Sequence, residues 1–234
     1  PSALNGLQVD SRSPVRAIAA AVDASARSIQ GAADAGANFL IVHHGLFWGG
    51  VQPLVGSSYQ RFRLLVERDI AVYSSHLPLD AHPEFGNNPL LAREFGLMPS
   101  RPFASFQRVP IGVAGDADTP TDAILSLADT FARRQGGRAR SSAMPNGHRT
   151  RRWAICTGAG ASTETLREAE EAGIDTLITG EGPHHTTVEA PERGVVVIYA
   201  GHYATETLGV MAIAERIAGE VGVAWSFVDA PTGS

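Results

Sequence analysis

The stretch NFLIVHHGLFWGG, residues 38–50, joins a short apolar run to two adjacent histidines. Phe39 to Val42 is apolar and partly β-branched, which predicts a buried strand. His43 and His44 close it, and the loop Gly45 to Gly50 follows. In open α/β sheets ligands bind outside the carboxyl edge of the strands. Successive strand side chains point to opposite faces, so neighbouring imidazoles share a target only where the strand ends and bends. A site for two metal ions would use such a pair, one nitrogen for each ion.

Around this strand, strand-like and helix-like patterns alternate. Residues 15–22 read as a strand and 26–35 as a helix that Gly36 ends. Residues 59–68 read as a helix, with Phe62, Leu65 and Val66 at i, i+3 and i+4. A strand at 70–74 and a helix at 88–95 follow. The pattern restarts with a strand at 109–114 and a helix at 120–134, which Thr119 is expected to cap. Further strands fall at 153–156, 176–178, 195–199 and 224–228, with helices at 163–172 and 204–221. This order predicts α/β architecture: two pseudo-equivalent α/β halves with mixed, largely parallel sheets. The expected division is 1–100 and 101–234, with the join near residues 98–106 (MPSRPFASF).

Composition narrows the function classes. The chain has 234 residues, 44% hydrophobic and 18% charged, with a formal net charge of −5 and no dense basic patch for nucleic acid. All 19 basic residues are arginine, which excludes a lysine Schiff base and a Walker-type phosphate loop. The arginines between residues 133 and 152 read as a solvated loop or subunit contact, with an anion contact as the sharper alternative. The single cysteine, Cys156, cannot form an internal disulfide and is expected inside a buried strand. No apolar run approaches the ~20 residues of a membrane span. No signal peptide is visible, so a cytoplasmic setting is the default. The chain opens Pro1-Ser2-Ala3 without an initiating methionine, so a start inside a longer gene product is expected.

Three further clusters follow strands. YSSHLPLDAHPEFGNN, residues 73–88, carries His76, Asp80 and His82; ITGEGPHHTTVEA, residues 178–190, carries Glu181, His184 and His185. YAGHYATETLGV, residues 199–210, carries His202 and Glu206, four apart and therefore on one face of a helical turn. A lone loop histidine or acid argues for little, but of eight histidines only His148 lies outside these segments and the His43-His44 pair. Imidazole and carboxylate suit zinc, manganese, iron or nickel, and no second thiol exists for a structural Cys-rich zinc site. Two ions about 3.5–4 Å apart share a bridging group and acidify a bound water.

The motifs NGLQVD (5–10), IVHHGLFW (41–48), SSHLPLDAHPEFGNN (74–88), ITGEGPHH (178–185) and GHYATE (201–206) occur in that order. Together they resemble the NGG-interacting-factor-three-like family, also called GTP cyclohydrolase 1 type 2 homologs. The resemblance implies that His43, His44, Asp80, His202 and Glu206 bind a dinuclear centre of divalent ions. It implies that Glu206 bridges, with His44 and Asp80 on one ion and His43 and His202 on the other. It leaves His76, His184 and Glu181 for substrate contact or proton transfer. It implies a toroidal homo-hexamer and a helix before NGLQV for which four residues leave little room; the extra middle domain of some relatives is not expected, since 234 residues with a join at 98–106 leave no room for it. The activity implied is metal-dependent hydrolysis of a purine nucleotide or related ring, with a damaged nucleotide as a variant. A non-enzymatic metal-binding or regulatory scaffold is the alternative.

Overall fold

The computed structural model describes residues 3–50 and 52–233; Pro1 and Ser2, part of the expected truncated start, lie outside them. In chain order the elements are β1 (Gly6–Val9), β2 (Ala17–Asp23), α1 (Ala26–Asp34), β3 (Phe39–His44), α2 (Gly56–Arg68), β4 (Ala71–Ser74) and α3 (Leu77–Asp80). Next come α4 (Asn87–Glu94), β5 (Arg101–Phe106), β6 (Val109–Pro120), α5 (Thr121–Arg134), β7 (Arg140–Ser141), β8 (Arg149–Cys156) and α6 (Thr163–Glu171). The last are β9 (Thr176–Thr179), α7 (His184–Glu192), β10 (Val196–Tyr199), α8 (His202–Thr205), α9 (Thr207–Val221) and β11 (Ala224–Phe227). They form two compact units. The first runs through Leu79 and takes back Gly209–Ala230; the second comprises Asp80–Leu208 and the residues from Pro231.

The first unit is built on a five-stranded sheet in the order β1-β4-β3-β2-β11. Its strands are parallel except β1, which runs antiparallel to β4. The inner strands β2 and β3 are covered on both faces, and a parallel strand so covered must be apolar throughout. Accordingly Ile18 to Val22 and Leu40 to Val42 are all buried. Helix α1 begins at a capping box between Ser25 and Ser28. It lays Ile29 and Ala32 on the sheet, beside Leu65 of α2. Burying each large side chain of this kind stabilises the fold by about 1.5–3 kcal/mol.

The second unit carries a six-stranded sheet in the order β5-β6-β8-β9-β10-β7. Only β8, β9 and β10 run parallel; the other pairings are antiparallel. Side chains alternate across the sheet. Trp153 and Ile155 of β8 join Leu91, Ile124 and Phe131 on one face. Ala154 and Cys156 join Leu166 and Ala169 of α6 on the other.

Several expectations are corrected by this architecture. The division falls after Leu79, not at residues 98–106, so Asp80 belongs to the second unit. Residues 101–106 form the edge strand β5, where Pro102 is tolerated. The C-terminal strand returns to the first sheet because β11 pairs with β2. The halves are not equivalent: the second sheet is mostly antiparallel. Strand β6 runs on to Pro120, so Thr119 pairs with Thr150 in the sheet and caps nothing. The basic stretch places Arg133 on Asp129 at 2.6 Å and Arg149 on Asp118 at 2.7 Å, with Arg134 against Glu94.

Candidate metal centre

In the first unit, β3 runs through both histidines. The parallel register sets His44 beside Asp23 at the end of β2, and Val42 beside Ser74 at the end of β4. Asp23, His43, His44 and the turn bearing His76 therefore share the carboxyl edge of the sheet, where α/β folds bind ligands. The imidazole centroids of His43 and His44 are 4.9 Å apart, and that of His76 lies 4.8 Å from His43. Each of the three offers one ring nitrogen, and those nitrogens lie within 4.8 Å of one another.

The hydrogen bonds fix which nitrogen is offered. His43 Nδ1 sits 3.0 Å from the Ser75 carbonyl oxygen, and His44 Nδ1 sits 2.8 Å from Asp23 Oδ1. An oxygen acceptor on Nδ1 holds the proton there and leaves the Nε2 lone pair for a cation. His43 is fully buried. Two residues of NGLQV brace the loops: Asn5 Oδ1 accepts from His76 N at 2.8 Å, and Gln8 Oε1 accepts from Leu46 N at 2.7 Å. The Gln8 amide lies against Gly45, where a Cβ would strike it.

In the second unit, the parallel strands β8, β9 and β10 end in register at Cys156, Thr179 and Tyr199. The residues just beyond them, Gly158, Glu181 and His202, share that edge. The expected helix at 204–221 is broken: α8 opens at His202, Glu206 ends it, and α9 restarts at Thr207. His202 and Glu206 still face one another, with Nε2 and Oε2 3.1 Å apart. His202 Nδ1 lies 2.8 Å from Glu181 Oε1, so a third histidine has Nδ1 occupied and Nε2 turned toward a second group. Burial pushes the His202 pKa down, but hydrogen bonds and charge from the nearly buried Glu206 and from Glu181 outweigh it and raise it to about 9.

Asp80 closes α3, and one of its carboxylate oxygens accepts from Asn87 Nδ2 at 3.0 Å. Asn88 Nδ2 donates to the Asp80 carbonyl at 3.2 Å, so two buried asparagines hold this acid in place. Glu181, expected to serve substrate contact or proton transfer, holds His202 Nδ1 through Oε1. His184 is exposed at the first residue of α7. His185 lies against Thr163 at 3.4 Å. His82 takes the backbone N–H groups of Glu84 and Phe85 in its own turn. Asp23 and Asn87 escaped the reading of the sequence. The one clue to Asp23 is an acid at a strand's carboxyl end.

The donor set fits borderline divalent ions, since it consists of imidazole nitrogen and carboxylate oxygen. Cys156 adds no thiolate: burial, with the nearby charges of Asp80, Glu168 and Glu206, pushes its pKa up to about 12. Asp23→Asn should lower the affinity for zinc about 10- to 100-fold, because an amide holds the His44 tautomer less firmly. Competition against a chromophoric chelator checks this, and unchanged affinity would deny Asp23 the role.

Comparison with known proteins agrees with this reading of the fold. The model of the Duf34/NIF3 (NGG1p interacting factor 3) family matches residues 2–232. The chain is 42% identical to the GTP cyclohydrolase 1 type 2 homolog of Deinococcus radiodurans, covering 98% of this chain and 86% of that one. It is 43% identical to the homolog of the same name from Halobacterium salinarum, covering 99% and 91%. Among solved structures, protein ybgI, of unknown function, superposes with a TM-score of 0.89 at 33% identity, covering 100% of this chain and 92% of the other. TTHA1606 from Thermus thermophilus gives 0.81 at 36% identity, covering 100% and 91%. With almost its whole length matched by the family model and by relatives above the level at which family is in question, the chain belongs to the DUF34/NIF3 family.

Proposed function

We propose that this protein holds two divalent cations through His43, His44, Asp80, His202 and Glu206 and is a metal-dependent hydrolase of a purine nucleotide or related ring. The observation that carries the reading is shared by three histidines. His43, His44 and His202 each have Nδ1 against an oxygen acceptor, the bond by which metal-ligating histidines are oriented, which makes Nε2 the ligand atom once His202 has shed the proton it shares with Glu206. The ions, when bound, supply Lewis acidity and activate water. The chain's own groups orient the ligands: Asp23 and the Ser75 carbonyl in the first unit, Glu181 and Asn87 in the second. His76 is proposed to serve the imidazole group as a further ligand or a proton carrier, and His184 to contact substrate. The purine assignment comes from the name that the Deinococcus and Halobacterium relatives carry. A homo-hexamer in the cytoplasm belongs to the same reading, with light scattering as the test of its mass. Among the described residues no helix is long and apolar enough to cross a membrane.

Formate release from GTP by zinc-, manganese-, iron- and nickel-loaded protein tests the activity, alongside a panel of damaged nucleotides. Turnover that depends on metal supports a hydrolase; metal uptake without turnover of any nucleotide favours the scaffold alternative. Metal uptake itself has a pH signature. His202 must shed its proton to bind, and its metal-free pKa is raised to about 9. Affinity should therefore climb with pH up to about 9, roughly tenfold per unit where one proton competes. Zinc titrations at several pH values check this; a flat profile between pH 7 and 9 would remove His202 from the ligand set.

A further inference from the structure

Trp48 lies four residues beyond His44 and is 49% exposed. Its ring centroid is 5.0 Å from that of His44 at an interplanar angle of 82°, and 4.7 Å from that of His76 at 67°. Contacts of this T-shaped kind engage an edge or one face of an indole and leave the rest of its π surface open. The loop that carries it is held. Leu4 N donates to the Phe47 carbonyl at 3.2 Å, and Gln52 Nε2 donates to the Trp48 carbonyl at 3.2 Å. Directly after it, Gly49 and Gly50 turn the backbone with φ of 88° and 93°, a region that suits glycine. The indole offers a cation no ligand atom, since its N–H only donates. A large, half-exposed apolar ring therefore stands against two of the three imidazoles without being able to ligate a cation itself.

We infer that Trp48 is the stacking platform for a planar heterocycle of purine type, whose reacting edge is delivered to the His43-His44-His76 group. The inference rests on the metal-dependent reading above and adds to it the residue that selects the ring. An indole face attracts any flat π system and adds nothing for a bare phosphate chain. Trp48 therefore contributes to affinity for nucleotides through the base alone.

The test uses the full metal-loaded chain, with GTP and inorganic tripolyphosphate as probes in calorimetric titrations. Trp48→Ala should weaken GTP binding about tenfold or more and leave tripolyphosphate binding unchanged, while Trp48→Phe keeps most of the GTP affinity. Metal content and the mass by light scattering should match the wild type in both variants. Equal loss for both probes, no loss for GTP, or a change of mass that makes Trp48 a subunit contact would each overturn the inference. Wild-type protein that holds its metals yet binds no GTP would overturn it too, and leave the metal site standing. Wild-type protein that takes up no metal would instead sink the proposed function itself.

Discussion

Glu206→Ala should cost the protein more than about 100-fold in metal affinity, beyond the 10- to 100-fold typical of losing a group that only orients a ligand. The carboxylate is nearly buried and lies 3.1 Å from His202 Nε2, so it is aimed at whatever that nitrogen binds. The same substitution has a consequence without metal. The folded pKa of His202 is raised from 6.5 to about 9, against burial, by Glu206 first and Glu181 second. A proton held more tightly by the folded than by the unfolded chain stabilises the fold, fully so below pH 6.5. That contribution fades as pH rises from 6.5 to about 9. Metal-free wild type should therefore lose melting temperature across that window, and Glu206→Ala should lose much less. Thermal melts in the presence of a chelator read this directly. An equal slope for both proteins, together with unchanged metal content, would mean that Glu206 faces neither His202 nor a cation.

Gly180→Ala should strongly destabilise the second unit. A Cβ there would sit 2.6 Å from the Gly158 carbonyl oxygen, 2.7 Å from Thr205 Oγ1 and 2.8 Å from His202 Cα. Two of these three neighbours are backbone, so no rotamer change relieves the clash. Overpacking of this kind costs about 1–3 kcal/mol, and we expect the upper end. The displaced atoms belong to the turn that carries His202. Thr205 Oγ1 also accepts from Gly158 N at 3.0 Å, which ties the ends of β8 and α8 together. The variant should therefore lose metal affinity along with stability in denaturant titrations. A normal unfolding midpoint with full metal content would show that the turn yields freely and that its packing sets nothing.

What the sequence made legible was local. An apolar run ending in two histidines located β3, and the four-residue spacing of His202 and Glu206 set them face to face although the helix breaks between α8 and α9. What escaped was set by contacts distant along the chain. Asp23 ends the alanine-rich strand β2, and only the parallel register with β3 puts its carboxylate on His44, 21 positions away. Nothing within residues 224–227 says that they pair with residues 17–20. Residues 98–106 read as a join because the strand-helix pattern restarts after them, yet 101–106 pair with β6 as an edge strand, which accommodates Pro102. Asn87 stands among Pro, Gly and Asn residues that suit a turn, and its buried amide steadies Asp80.

The most direct measurement is anomalous scattering from crystals of the metal-loaded protein, recorded at the absorption edges of zinc, manganese, iron and nickel. We expect two peaks per chain, with Nε2 of His43, His44 and His202 at about 2.0–2.1 Å from an ion. In each ring Nδ1 should still be on its oxygen acceptor. Peaks bonded through Nδ1, peaks away from these three imidazoles, or none at all would contradict the account.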